Sequence, residues 1–247
     1  MKKIFLFVSA GSLLLLGACK KSFLEVPPQG NTGLTIDKLS NKVGVQELLI
    51  GAYHDLTGID TKSTWWGTSG TNWVYGDITS GDTYLGGASA VNSQPHQVTD
   101  AFNIENYQEL ATTGFIDDKW IANYDGVARA NAVIIAATAA KDMTAAEKTE
   151  AIAEARFLRG HSHFQAKETW NNVPYVDETV AGTDFNKLSN TTNIWPKIEA
   201  DFQFAYANMN EVQPLAGQAN KWAAAAYLAK CYMFEQKFTD AKALLAT

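Results

Sequence analysis

The side chains of this chain that could do chemistry fall into a few groups, and their spacing separates them. His161 and His163 are the nearest pair of metal-ligating residues. On a helix, residues two apart point about 200° away from each other, so this pair cannot share an ion. His54 and His96 lie far off, and neither an HExxH motif nor paired cysteines occur, so no metal site is expected on these side chains. Two carboxylate pairs stand out, Glu105 with Glu109 and Asp117 with Asp118. A glycosidase needs two carboxyls about 5–10 Å apart across a sugar, one of them with a raised pKa. Asp117-Asp118 instead stands where a helix N-terminus welcomes negative charge. With no G-x-S-x-G elbow either, the chain reads as a non-enzyme. Asp77 and Asp82 flank Ile78–Gly81 and could offer oxygens to a structural calcium ion, though not at EF-hand spacing; no other cofactor is indicated.

The richest group is aromatic. Trp65, Trp66, Trp73, Tyr75 and Tyr84 fall within twenty residues, interleaved with Asn72, Asp77, Ser80 and Asp82. Rings with a few placed polar groups describe a ligand site, and sugars in particular offer flat C–H faces to indoles and phenols. Two other readings stand beside this one: rings that pin a long loop to a scaffold through buried area, and rings that meet a protein partner.

The elements around this cluster are helical. Val45, Leu48, Leu49, Ala52, Tyr53 and Leu56 recur with helical period. Residues 58–108 are rich in Gly, Ser, Thr and Asn and read as a long irregular region, a length that in compact domains usually serves function. Helices resume at Asp118, with Trp120, Tyr124, Val127, Asn131 and Ile134 on one face. Thr144 and Glu147 have capping-box spacing. The next helix should run through Trp170 to an Asn-Asn turn before Pro174. It carries two apolar stripes, Ala155/Leu158/Ser162/Ala166 and Ala153/Phe157/Gly160/Phe164, and so should be buried on two sides. Arg156 and Arg159 on that helix read as structural ion-pair partners. Pro196 suits a helix first turn, and the alanine-rich run from Asn220, with a short turn before Phe238, suggests tetratricopeptide-like hairpins. The expected fold is mostly α, with residues 118–247 stacked as a scaffold beside the aromatic-rich loop region.

The N-terminus adds an address. Lys2 and Lys3, the apolar run Ile4–Leu16 and Leu16-Gly17-Ala18-Cys19 describe a lipoprotein signal peptide over residues 1–18, with Cys19 as the lipid anchor. The run is shorter than the roughly 20 residues a membrane-spanning helix needs. Residues 19–44 then form a tether and N-terminal segment ahead of a helical domain from 45 to 247. Once Cys19 is acylated, Cys231 is alone, so no internal disulfide is expected. The net charge is −6, and loss of the leader lysines takes it to about −8, against a nucleic-acid partner.

Residues 151–178 resemble the signature AEARFLRAxxYFxLxxxFGxVPxV of the SusD/RagB family of outer-membrane nutrient-binding lipoproteins. Ala153, Glu154, Ala155, Arg156, Phe157, Leu158, Arg159, Phe164, Val173, Pro174 and Val176 fall on it, and Phe23, Leu24, Glu25 and Pro27 or Pro28 resemble the family's post-anchor segment. The resemblance implies a protein of Bacteroidota, lipid-anchored on the exterior of the cell outer membrane above a SusC-like TonB-dependent transporter. Such proteins capture oligosaccharides, or peptides in some members, and deliver them by lid motion without covalent chemistry. Members are longer, so the chain is expected to be an N-terminal portion. The family has no universal ligand motif, which leaves Trp65, Trp66, Trp73, Tyr75, Asp77, Asp82 and Tyr84 as candidates from residue type alone. The competing class is a helical-repeat surface scaffold that binds proteins or peptides and no glycan.

Overall fold

The computed structural model describes residues 35–57, 67, 69, 71–86, 97–180 and 184–246, and from Ile36 onward they form one compact unit. Among them the order is α1 (Ile36–Leu39), α2 (Lys42–His54), a 3-10 turn (Asp55–Thr57), a π-helical turn (Val74–Ile78), α3 (Gln97–Glu105), α4 (Gly114–Ala139), α5 (Ala145–Trp170), a 3-10 turn (Asp184–Lys187), α6 (Trp195–Asn208), α7 (Lys221–Phe234) and α8 (Phe238–Leu245), with no strand among the described residues. From α4 to α8 each helix packs mainly on its neighbours in sequence, and α2 lies against α4, which is the stacking of a helical-repeat scaffold.

The helix ends follow from local chemistry. The Asn41 side chain accepts from Gly44 N at 3.0 Å to start α2. Gly44 is required there, because a Cβ would sit 2.4 Å from the Leu39 carbonyl oxygen at the α1–α2 corner. At α5 the capping box forms: Glu147 N donates to Thr144 Oγ1 at 3.3 Å, and Thr144 N donates to Glu147 Oε2 at 2.8 Å. The helix stops at Asn171, whose φ of 57° reverses the chain, while Lys167 Nζ caps the Asn171 carbonyl at 2.5 Å. Pro196 occupies the first turn of α6, and Asn220 Oδ1 accepts from Trp222 N and Ala223 N to begin α7.

Both predicted stripes of α5 are buried along their length, so this helix is the spine of the unit. On one side Phe157 and Phe164 meet Phe202 of α6 and Tyr227 of α7 with ring centroids 5.6–6.4 Å apart. Each such ring, removed from water, contributes roughly 1.5–3 kcal/mol. Gly160 permits the close approach of α6, since a Cβ there would lie 3.0 Å from the Phe202 ring. Cys231 is fully buried, its thiol pushed up to about 12 by burial and then by Glu235 and Glu199; it packs as a small hydrophobe.

Two boundaries differ from expectation. α4 begins at Gly114, four residues before Asp118, because the Asp100 carboxylate accepts from Phe115 N at 3.3 Å. The stretch expected as irregular also carries α3 and the π turn. A second, small core made by Val74, Ile78, Ala101, Ile104 and Phe115 holds both of these against α4.

Candidate functional site

Two polar constructions stand on this scaffold, one internal and one outward. The internal one centres on Arg159, which is 1% exposed. Its Nε and Nη2 reach the two Asp201 oxygens at 2.8 and 2.7 Å, and Nη1 donates to Asn131 Oδ1 at 2.9 Å and to Glu178. Burial opposes the guanidinium charge, but the Asp201 carboxylate outweighs it and keeps the group protonated. Tyr175 OH donates to Asp201 at 2.7 Å, and Arg156 lies 3.7 Å from the same carboxylate with its guanidinium over the Phe204 ring. His163 accepts from Val176 N through Nε2 at 3.1 Å, so its proton sits on Nδ1, 3.2 Å from the Arg159 carbonyl. Burial, with Arg159 adding to it, pulls His163 down to about 3 and keeps it neutral. These groups fix residues 175–178 on α5 and are structural. His161 turns the other way, toward Tyr227, so the two histidines do not meet.

The outward construction is the lobe of residues 71–86. Thr71, fully buried, donates through Oγ1 to Gly67 O at 3.0 Å, and its carbonyl accepts from Val74 N and Tyr75 N. Val74 and Ile78 turn inward to the small core. Tyr75 also turns inward: its ring faces Lys119 Nζ at 5.4 Å, and burial raises its phenol above the ordinary range. Lys119 is 1% exposed and donates to Asn72 Oδ1 at 2.7 Å; burial lowers it to about 8, with the Glu168 carboxylate acting in the opposite sense. The following turn is tied down twice, by Tyr107 OH donating to Thr79 O at 2.6 Å and by Leu85 N donating to Glu105 Oε1 at 3.0 Å.

On that fixed backbone the outward side chains are Trp73, Asp77, Asp82 and Tyr84, joined by Tyr107. Trp73 is 38% exposed, Tyr84 73% and Tyr107 71%. Asp82 is steadied by the Ser80 hydroxyl at 3.1 Å. Of the residues expected from sequence, Tyr75 thus serves the loop core, whereas Trp73, Asp77, Asp82 and Tyr84 are surface groups of one lobe. Trp65, Trp66 and the anchor Cys19 lie outside the described residues. Sequence reasoning missed Tyr107, although it falls inside the aromatic stretch, and missed the Lys119–Asn72 contact that braces the lobe. Among the described residues no cluster of three or more His, Cys, Asp or Glu could hold a metal ion.

The family model described as "Starch-binding associating with outer membrane", SusD-like, matches residues 68–233, which include both constructions. The chain belongs to the SusD-like family. A SusD-like protein of Bacteroides ovatus is 28% identical over 236 residues, covering 92% of this chain and 39% of its own length. A SusD-like protein of Formosa agariphila is 25% identical over half of this chain. This SusD-like chain therefore spans about two fifths of the first of these relatives and a smaller share of the second. Among solved structures, a laminarin-binding SusD-like protein superposes with a TM-score of 0.69 at 21% identity, covering 83% of this chain and 42% of the other. Surface glycan-binding protein A from Bacteroides fluxus gives 0.64 at 21%, covering 80% and 41%. At that identity the structural matches establish the fold alone: the tetratricopeptide-like helical scaffold of SusD-like proteins.

Proposed function

We propose that the protein is a surface glycan-binding lipoprotein that captures oligosaccharide and passes it to a SusC-like TonB-dependent transporter, anchored to the outer membrane through Cys19 and facing outward. The observation that carries this reading is the lobe of residues 71–86. It offers exposed rings from Trp73, Tyr84 and Tyr107, with Asp77 and Asp82 nearby, on a backbone held by two long-range hydrogen bonds. Pre-positioned rings lose little conformational entropy on binding, which is what a weak, hydrophilic ligand such as a sugar requires. The matched family description and the laminarin-binding neighbour support a glycan as that ligand. No helix among the described residues is long and apolar enough to cross a membrane, and the reading assigns attachment to lipid on Cys19. The role is capture: the two central arginines and the buried histidine are committed to structure, and the reading assigns no catalytic residue.

Affinity electrophoresis against laminarin, starch and a panel of plant, fungal and host glycans tests this. We expect one glycan to retard the protein and Trp73→Ala/Tyr84→Ala to abolish the retardation with the circular dichroism spectrum unchanged. Retardation that survives the double substitution moves the site off this lobe. Migration unaffected by every glycan supports instead a scaffold for proteins or peptides, and hydrolysis of a bound glycan would make the protein an enzyme.

A further inference from the structure

On the side of α5 away from Arg159, a cavity of about 610 Å³ opens between the first turns of α2 and α5 and the loop that joins α6 to α7. Its floor is apolar, formed by Val45, Leu49, Met143 and Ala151, and its polar wall holds Glu150 and Glu154, one turn apart on α5. Glu154 is only 4% exposed. Its Oε2 accepts from Tyr53 OH at 2.6 Å and from Gln218 Nε2 at 3.4 Å. Its Oε1 takes no hydrogen bond among the described residues. Glu150 is held in place by Asn210 N at 3.1 Å and Gln213 Nε2 at 2.8 Å. The wall carries one cation, Lys42, and that is paired with Glu147 at 2.5 Å. A largely buried carboxylate with one oxygen open to solvent, a second carboxylate beside it and no unpaired cation on the wall make a site that favours one positive charge. Among the described residues no cluster of three or more His, Cys, Asp or Glu that could hold a metal ion forms there.

We infer that this cavity binds a small ligand bearing a primary ammonium group on a short apolar stem, with the ammonium at Glu154 and Glu150 and the stem over Val45, Leu49 and Met143. An ammonium supplies three N–H donors and the missing charge, and the floor buries the methylenes. The protonation of Glu154 agrees: burial pushes it up to about 7, the Tyr53 hydrogen bond acts against this, and the Glu150 carboxylate adds to it. An arriving ammonium replaces that proton. The charged or titratable groups facing Glu154 are Tyr53 from α2, with Lys42 farther along the same helix, and Glu150 and Glu147 from α5; the loop contributes the neutral amides Gln213 and Gln218. The site does not depend on the glycan reading and lies on different residues.

Isothermal titration of the protein with butylammonium chloride at pH 8 and pH 6, and with 1-butanol as the neutral control, tests the inference. Saturable binding is expected, about tenfold tighter at pH 8, because the carboxylate is mostly formed at pH 8 and mostly protonated at pH 6. Butanol should bind at least tenfold more weakly. Glu154→Gln, which keeps the Tyr53 hydrogen bond, should abolish binding at pH 8. Should that variant fail to fold, Ala146→Trp, placed at an exposed position on the rim, should block the cavity and abolish binding instead. Lysine amide and cadaverine at pH 8 then separate a peptide from a free-amine source, and binding of either upholds the site. Butanol binding as tightly as butylammonium, no saturable heat at pH 8, or undiminished binding by a folded Glu154→Gln would overturn it.

Discussion

Replacing Arg159 by Met is the most informative perturbation of the scaffold. The guanidinium makes two hydrogen bonds to Asp201 and one each to Asn131 and Glu178, all in or at the edge of the core. Met fills much of the stem's volume but leaves the Asp201 carboxylate 2% exposed, with only Tyr175 OH at 2.7 Å and Arg156 at 3.7 Å to compensate. Orphaning one member of a buried ion pair costs about 3–5 kcal/mol. With a urea m-value of about 2–3 kcal/mol/M for a unit of this size, the unfolding midpoint should fall by about 1–2 M. Removing both charges, as in Arg159→Met/Asp201→Leu, should recover most of that loss, because no buried charge is then unpaired. The assay is urea unfolding at neutral pH followed by far-ultraviolet circular dichroism. A single variant within about 1 kcal/mol of the parent, or a double variant as unstable as the sum of the singles, refutes the reasoning: Arg159 would then be a tolerated passenger of the core.

Other substitutions probe separate features. Gly126→Ala places a Cβ 2.3 Å from Asp55 Oδ2 and 2.6 Å from Ser162 Oγ, both on buried side chains, and should cost about 2 kcal/mol or more by thermal melting. Thr144→Ala removes the capping box of α5 and should cost about 1 kcal/mol in the same measurement. His163 has a folded-state pKa of about 3 against an ordinary value of 6.5, so the unfolded chain binds the extra proton between these pH values. Its contribution is therefore full above pH 6.5 and is lost as pH falls; His163→Phe should flatten the stability profile by about 1.4 kcal/mol per pH unit between pH 6 and pH 5. Glu154 has the opposite sign, its folded pKa being raised to about 7, so its contribution is full below about 4.5 and lost as pH rises through 7. Relative to the parent, Glu154→Gln should gain about 1.4 kcal/mol per pH unit between pH 5 and pH 7 in denaturant titrations.

The parts of the fold legible in the sequence are those whose determinants are local. The capping box, the Asn171 reversal, Pro196 and Asn220 each act within a few residues, and they bound α5, α6 and α7 where the spacing said they would. The two stripes of α5 were readable because small and apolar residues recur along each at helical spacing, even with buried polar groups such as Arg159 and His163 between them. The start of α4 was not, because its Phe115 amide is met by Asp100 from α3, fifteen residues back in the chain. α3 itself buries little beyond Ala101 and Ile104 in a polar nine-residue segment, too few apolar positions to declare a period. In the lobe, residue type nominated Tyr75 and Tyr84 alike. What sends one inward and the other out is the packing of Val74 and Ile78 on α3 and α4, a tertiary fact with no sequence spacing of its own. Glu154 was read as part of a signature, and its cavity arises only when the α6–α7 loop closes over α5.

A chain whose helices mostly touch the next helix along can assemble in the order in which it is threaded. α4 and α5 are joined by five residues, so their mutual burial closes a short loop and needs nothing synthesised later. α6, then α7, then α8 each find a surface already formed by the helices before them. The exceptions set the timing: Tyr53 must wait for Ala219, whose amide donates to its hydroxyl at 3.0 Å across 166 residues, and Arg159 must wait for Asp201. Until those late partners arrive, the early helices hold a buried arginine without its carboxylate. A chaperone that shields α5 during that interval would act on a stretch of the helical unit that cannot yet look after itself.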